Sequence, residues 1–161
     1  MSDDLTPADT RTDEQKLVAA QFPAAKESDF IIQYYPPGQA PPVLPKEKQS
    51  LDANARKWMA AMGLSREQGT NMATFIAEAI QQTHPLSANE RVAYKERENV
   101  RLDRVLGPGW DDQLKPANRM IREVNALHPG FTDFVRAHGD NAPLIMELIK
   151  AATIYHARKR R

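Results

Sequence analysis

Leu51-Asp52-Ala53-Asn54-Ala55-Arg56-Lys57-Trp58-Met59-Ala60-Ala61-Met62-Gly63-Leu64-Ser65-Arg66-Glu67-Gln68 decides the fold class. Leu51, Ala55, Trp58, Met59 and Met62 recur at helical spacing and fall on one face, so the segment reads as an amphipathic helix. Gly63 stops it, because only glycine enters the left-handed conformation at a helix C-terminus without penalty. Ser65 and Gln68 then form a capping box that opens a second helix, with its own stripe at Met72, Phe75, Ile76, Ala79 and Ile80.

The pattern continues toward the C-terminus. His84-Pro85 closes the second helix, and Ser87 with Glu90 caps a third, which runs to about Leu106 before Gly107. This third helix is crowded with charge, and Val92, Val100, Leu102, Val105 and Leu106 make only a broken apolar stripe. It is therefore expected to be exposed or paired with a charged partner helix. Leu114, Ala117, Met120, Val124 and Leu127 mark a fourth helix, and Pro116 is tolerated only near its start. Asp111 and Asp112 are read as N-terminal caps rather than a catalytic carboxylate pair. Phe131, Phe134, Val135 and His138 share a face of a short helix. Leu144, Ile145, Leu148, Ile149, Ala152 and Tyr155 line the last one, which ends Arg158-Lys159-Arg160-Arg161.

Upstream of residue 51 the composition changes. Seven of the 12 prolines lie in the first 50 residues, where each removes a backbone donor and fixes φ. Apart from a marginal helix over residues 13–20, this region reads as an extended or disordered arm, residues 1–50, preceding a helical body, residues 51–161. The expected class is all-α, a small bundle of about five helices with a Pro-rich N-terminal arm. Removal of residues 1–45 is expected to leave the body's melting curve nearly unchanged. Within the arm, Phe30, Ile31, Ile32, Tyr34 and Tyr35 are too apolar for an idle linker and are assigned to partner docking. The same role is given to Trp110, a large aromatic in a Gly/Pro turn, and to Arg158, Lys159, Arg160 and Arg161, four successive cations that exceed what helix capping needs.

The net charge of +1 divides unevenly, with 5 basic and 8 acidic residues in 1–50 against 17 and 13 in 51–161. That imbalance favours association but is too small to make nucleic acid the leading partner. Cysteine is absent, which excludes disulfides, thiolate metal sites and cysteine nucleophiles and suits a reducing compartment. An 18-residue apolar run and a signal peptide are not found, so a cytosolic protein without membrane contact is expected. Phosphate loops, metalloprotease His pairs, calcium loops and nucleophile elbows are also missing. His84, His128, His138 and His156 are scattered and read as capping residues. No catalytic, metal or cofactor residue is assigned, and the chain is read as not an enzyme.

The order of segments resembles the scaffolding or capsid-assembly head proteins of tailed bacteriophages. The likeness rests on the acidic Pro-rich leader with its aromatic patch, on Met62-Gly63-Leu64-Ser65-Arg66-Glu67-Gln68, on Trp110-Asp111-Asp112-Gln113-Leu114-Lys115-Pro116-Ala117-Asn118-Arg119, and on His138-Gly139-Asp140-Asn141-Ala142-Pro143-Leu144-Ile145. The central helix is shorter than the rod usual in such scaffolds, and Pro116 interrupts a helix that is normally continuous. The resemblance implies a homo-oligomeric, non-catalytic protein of the host cytoplasm, procapsid or virion that binds coat or other head subunits. The alternatives are a minor virion protein held by its arm, or a nucleic-acid-binding accessory factor using Arg119, Arg122 and the terminal cations.

Overall fold

Gly63, at φ +73°, turns the chain between the first two helices of a computed structural model that describes residues 24–30, 32, 38 and 43–159. Among these residues all regular structure is helical: α1 Lys46–Ala61, α2 Arg66–Thr83, α3 Ala88–Leu106, α4 Leu114–Leu127, α5 Phe131–His138 and α6 Ala142–Lys159, with 3-10 turns at Glu27–Asp29 and Trp110–Gln113. The all-α expectation holds, with six helices rather than about five. No helix among the described residues is long and apolar enough to cross a membrane.

Both capping boxes form. The Ser65 hydroxyl accepts from the Gln68 amide at 3.2 Å and the Gln68 side chain accepts from the Ser65 amide at 2.9 Å. Ser87 and Glu90 do the same at 3.2 and 3.3 Å. The α4 entry departs from expectation. Neither Asp111 nor Asp112 caps it; both lie in the 3-10 turn, where Asp112 pairs with Lys115 at 3.0 Å. Pro116 sits in the first turn of α4, where its missing N–H has no partner to lose.

The core lies where α6 packs across α4 and α2. Leu144, Leu148, Ala152 and Tyr155 of α6 meet Met72 and Ile76 of α2 and Met120 and Val124 of α4, all buried. Met59, Met62, Met72 and Met120 are almost fully buried, and their unbranched chains fill the irregular gaps between crossing helices. Trp58 stacks on Phe131 at 5.0 Å and meets Phe134 at 5.5 Å. Its indole N–H donates to the His128 carbonyl at 2.9 Å, so this buried aromatic has no unmet donor.

Two boundaries correct the sequence reading. α1 begins at Lys46, directly after Pro45, so the division at residue 50 falls inside a helix. Residues 24–30 are not an arm apart from the body. The Ala25 amide donates to the Leu64 carbonyl at 2.8 Å, and the Arg56 guanidinium donates to the carbonyls of Phe30 and Glu27. Arg66 pairs with Asp29 at 2.8 Å. The Asp29 carboxyl is held below its ordinary value by the Lys26 amide it accepts from and then by Arg66.

Candidate protein-interaction surface

Helix α3 stands apart in composition and in packing. Tyr94 and Leu102 are its buried residues, and its main neighbours are α6 and the Trp110 turn. What holds it is largely polar. Asn141 donates to the Tyr94 hydroxyl at 2.9 Å and to Gln82 Oε1 at 3.1 Å, and the Tyr94 hydroxyl donates to the same Gln82 oxygen at 3.1 Å. Asn141 Oδ1 accepts from the Leu144 amide at 3.0 Å, which caps α6. Glu98 of α3 takes the Ala142 amide at 2.6 Å, placing a carboxylate at the positive end of the α6 dipole. One buried asparagine thus ties α2, α3 and α6 together, and burial pushes the Tyr94 phenol up.

A second set of bonds flanks this one. Arg91 of α3 donates to the Ala137 carbonyl of α5. His138 Nδ1 lies 2.7 Å from Thr83 Oγ1, and that hydroxyl lies 2.7 Å from the Ala79 carbonyl. A hydroxyl has one hydrogen. With it given to Ala79, Thr83 accepts and His138 donates from Nδ1–H. Burial is the first cause lowering the His138 pKa, followed by Arg91, His84 and Lys48.

Fixed in this way, α3 turns the side bearing Val92 and Val100 outward, while Val105, one turn after Leu102, lies on the anchored side near the helix end. Val92, Val100 and Val105 are 60, 56 and 59% exposed. The other large apolar side chains exposed among the described residues are Val43 and Leu127, so α3 carries most of this surface. A groove of about 600 Å³ follows Ala93, Glu96, Arg97, Val100, Arg101 and Arg104. Exposed valines at separate positions are unremarkable on a surface; Val92 and Val100 on the outward side of one charge-dense helix, with Val100 lining the groove, form a candidate interface.

The described residues among those assigned to partner binding from the sequence do not gather there. Phe30 and Ile32 are buried in this chain's own core, at 0 and 8% exposure, so their docking role is corrected to a structural one. Phe30 fills the place that a side chain at Gly69 of α2 would occupy. Ile31, Tyr34, Tyr35, Arg160 and Arg161 lie outside the described residues. Trp110 is half-buried, and its indole N–H donates to Asp103 at 2.6 Å, so it closes the turn after α3.

Arg158 lays its side chain against Gly63. Lys159 sits 4.7 Å from the centre of the Tyr155 ring and 3.7 Å from Glu123. Glu123 also accepts from Tyr155 at 2.7 Å and pairs with Arg119 at 3.2 Å. The Tyr155 hydroxyl, then Arg119 and Lys159, hold the Glu123 carboxyl below its ordinary value. Glu123 therefore offsets part of the cationic end on which a nucleic-acid role depends.

Elsewhere, a groove of about 680 Å³ along α2 includes Thr70, Thr74 and Glu78, and the Asp29–Arg66 pair also lines it. His156 meets the Pro116 carbonyl at 2.9 Å. Among the described residues no group of three or more His, Asp or Glu side chains is placed to hold a metal ion. Compared with known proteins, the chain matches no protein-family model, no curated protein and no solved structure.

Proposed function

We propose that this chain is a non-catalytic assembly protein of the capsid-assembly type, which binds the coat subunit of a phage head and governs how coat subunits meet. The observation that carries the proposal is α3: a helix fixed at its root by Asn141, Glu98 and Arg91, with Val92, Val100 and Val105 exposed among charges. Val92 and Val100, about two turns apart on the outward side, suit the groove of a partner. Their apolar area is small, so a single contact is weak. Affinity for a growing shell then comes from many simultaneous contacts, which lets the protein both guide assembly and leave. The likeness of the segment order to phage head proteins supports the coat subunit as the partner, and the cations near the end of α6 speed encounter rather than tighten the complex.

The test is assembly of the coat subunit alone and with the chain, followed by electron microscopy of the shells. The chain is expected to narrow the distribution of shell sizes, and the Val92→Ser, Val100→Ser variant is expected to lose that effect while keeping its helicity. Coat subunits that form the same shells with and without the chain overturn the proposal.

A further inference from the structure

We infer that the element a partner lays along α3 is an acidic amphipathic helix, gripped by Arg97, Arg101 and Arg104. This rests on α3 being the partner-facing helix and names the chemistry of what it faces. At about 100° of turn per residue, Ala93 and Val100 run down the middle of the groove on α3. The three arginines, all exposed, follow one flank, and Glu96 and Asp103 follow the other.

The fold leaves these arginines weakly neutralised. Arg101 reaches the Glu98 carboxylate only at 4.0 Å, and that same oxygen holds the Ala142 amide at 2.6 Å. Arg97 lies 6.0 Å from the centre of the Tyr94 ring, and Arg104 has no ion pair among the described residues. Elsewhere on the body Arg56, Arg66, Arg119 and Arg136 each have a carboxylate oxygen at 2.8–3.4 Å. The α3 flank therefore carries cationic charge that a partner can neutralise.

Spacing selects a helix as the occupant. The arginines climb about 10 Å along α3 in steps of four and then three residues. A helix laid antiparallel repeats those steps in reverse, so carboxylates at i, i+3 and i+7 on one of its faces meet all three guanidinium forks. The two helix dipoles are then opposed, and apolar side chains beside the carboxylates cover Ala93 and Val100. Such a helix forms one wall of the partner groove that receives Val92 and Val100. A nucleic acid fits less well, because Glu96 and Asp103 oppose a phosphate backbone and the groove has no aromatic side chain on which a base could stack. A second copy of α3 also fits less well. An antiparallel two-fold pair sets each flank against itself, arginine on arginine. A parallel pair sets three arginines against Glu96 and an Asp103 that already takes the Trp110 indole N–H at 2.6 Å.

The test uses the full chain, isotope-enriched, and a capped alanine-rich helical peptide with Glu at i, i+3 and i+7 and Leu at i+6 and i+10. Titration is expected to shift the amides of residues 93–104 while those of α4 stay in place, and added salt is expected to weaken the binding. Replacing the peptide's Glu by Gln is expected to weaken it about tenfold or more, as is the Arg97→Gln, Arg101→Gln, Arg104→Gln variant. If that variant does not fold, Arg97→Gln and Arg104→Gln singly must each weaken it. Equal binding of the Glu and Gln peptides overturns the inference, as do shifts centred on Lys115, Arg119 and Arg122 of α4. So does tighter binding of an oligonucleotide at the same arginines, or the same shifts on concentrating the chain without peptide, which would make a nucleic acid or a second copy the occupant. With coat subunits the two readings separate. Loss of shell control in Val92→Ser, Val100→Ser but not in the arginine variant overturns the acidic helix and keeps α3 as the partner-facing element. Peptide binding by a chain that leaves coat assembly unaltered overturns the assembly role and keeps the acidic helix.

Discussion

Replacing Phe30 with alanine tests whether residues 24–30 belong to the folded body. The Phe30 side chain is fully buried, packed against Gly69 in the middle of the core cluster. Losing its transfer free energy and leaving a cavity costs about 3–5 kcal/mol, which lowers the melting midpoint of a domain this size by roughly 10–20 °C. Gly69→Ala makes the same point from the other side, because the added Cβ would overlap the Phe30 ring.

In the wild-type background the helix-propensity gain of about 1 kcal/mol is outweighed by overpacking or ring expulsion, for a net loss of about 1–3 kcal/mol. In the Phe30→Ala background the slot is open, and Gly69→Ala is expected to stabilise by roughly 0.5–1 kcal/mol. Urea denaturation of the four proteins yields the coupling as a double-mutant cycle. A chain beginning at residue 46 should melt as low as Phe30→Ala, contrary to the sequence expectation. The reasoning fails if Phe30→Ala costs less than about 1 kcal/mol, or if Gly69→Ala stabilises both backgrounds alike.

Asn141→Ala removes the α6 cap and strands the Tyr94 and Gln82 groups it joins; a loss of about 2–3 kcal/mol by chemical denaturation is expected, against about 0.5 kcal/mol or less for Val92→Ser. The lowered pKa of His138 means that the unfolded chain takes up the proton first. Stability is therefore full above the unfolded value of about 6.5 and declines as pH falls below it toward the folded value. His138→Asn keeps a donor near Thr83 and is expected to flatten this part of a melting curve measured against pH. Trp110→Phe removes the indole donor to Asp103 and is expected to raise amide exchange in the last turn of α3 with little change in global stability.

Much of the fold was legible because it is written locally. The Ser65–Gln68 and Ser87–Glu90 boxes, the stops at Gly63 and Gly107, and the stripes of α1, α2 and α6 depend on neighbours within a turn or two. The sparse packing of α3 was legible for the same reason, since a helix with that charge density has little apolar surface to bury. Its actual anchors were not: Tyr94 is buried while Val92, Val100 and Val105 are all exposed, because Asn141, 47 residues away, completes the hydrogen bonding of Tyr94. Leu127 continues the α4 stripe in sequence but is 64% exposed, at the last position of the helix. Phe30 read as a docking residue because proline density around it masks a tertiary fact. The slot that receives it is made by the missing side chain of Gly69, which no local pattern announces. The start of α1 at Lys46 was missed because its first turns carry no apolar period.

Photo-crosslinking from α3 tests the account most directly. A benzophenone amino acid at Val100, in the chain mixed with assembling coat subunits, is expected to capture the coat subunit; the same group at Asn118 on α4 or His84 at the end of α2 is not. Capture of the coat from Asn118 or His84 but not from Val100 would contradict the assignment of α3 as the partner-facing helix, and no capture of coat from any position would contradict the assembly role itself.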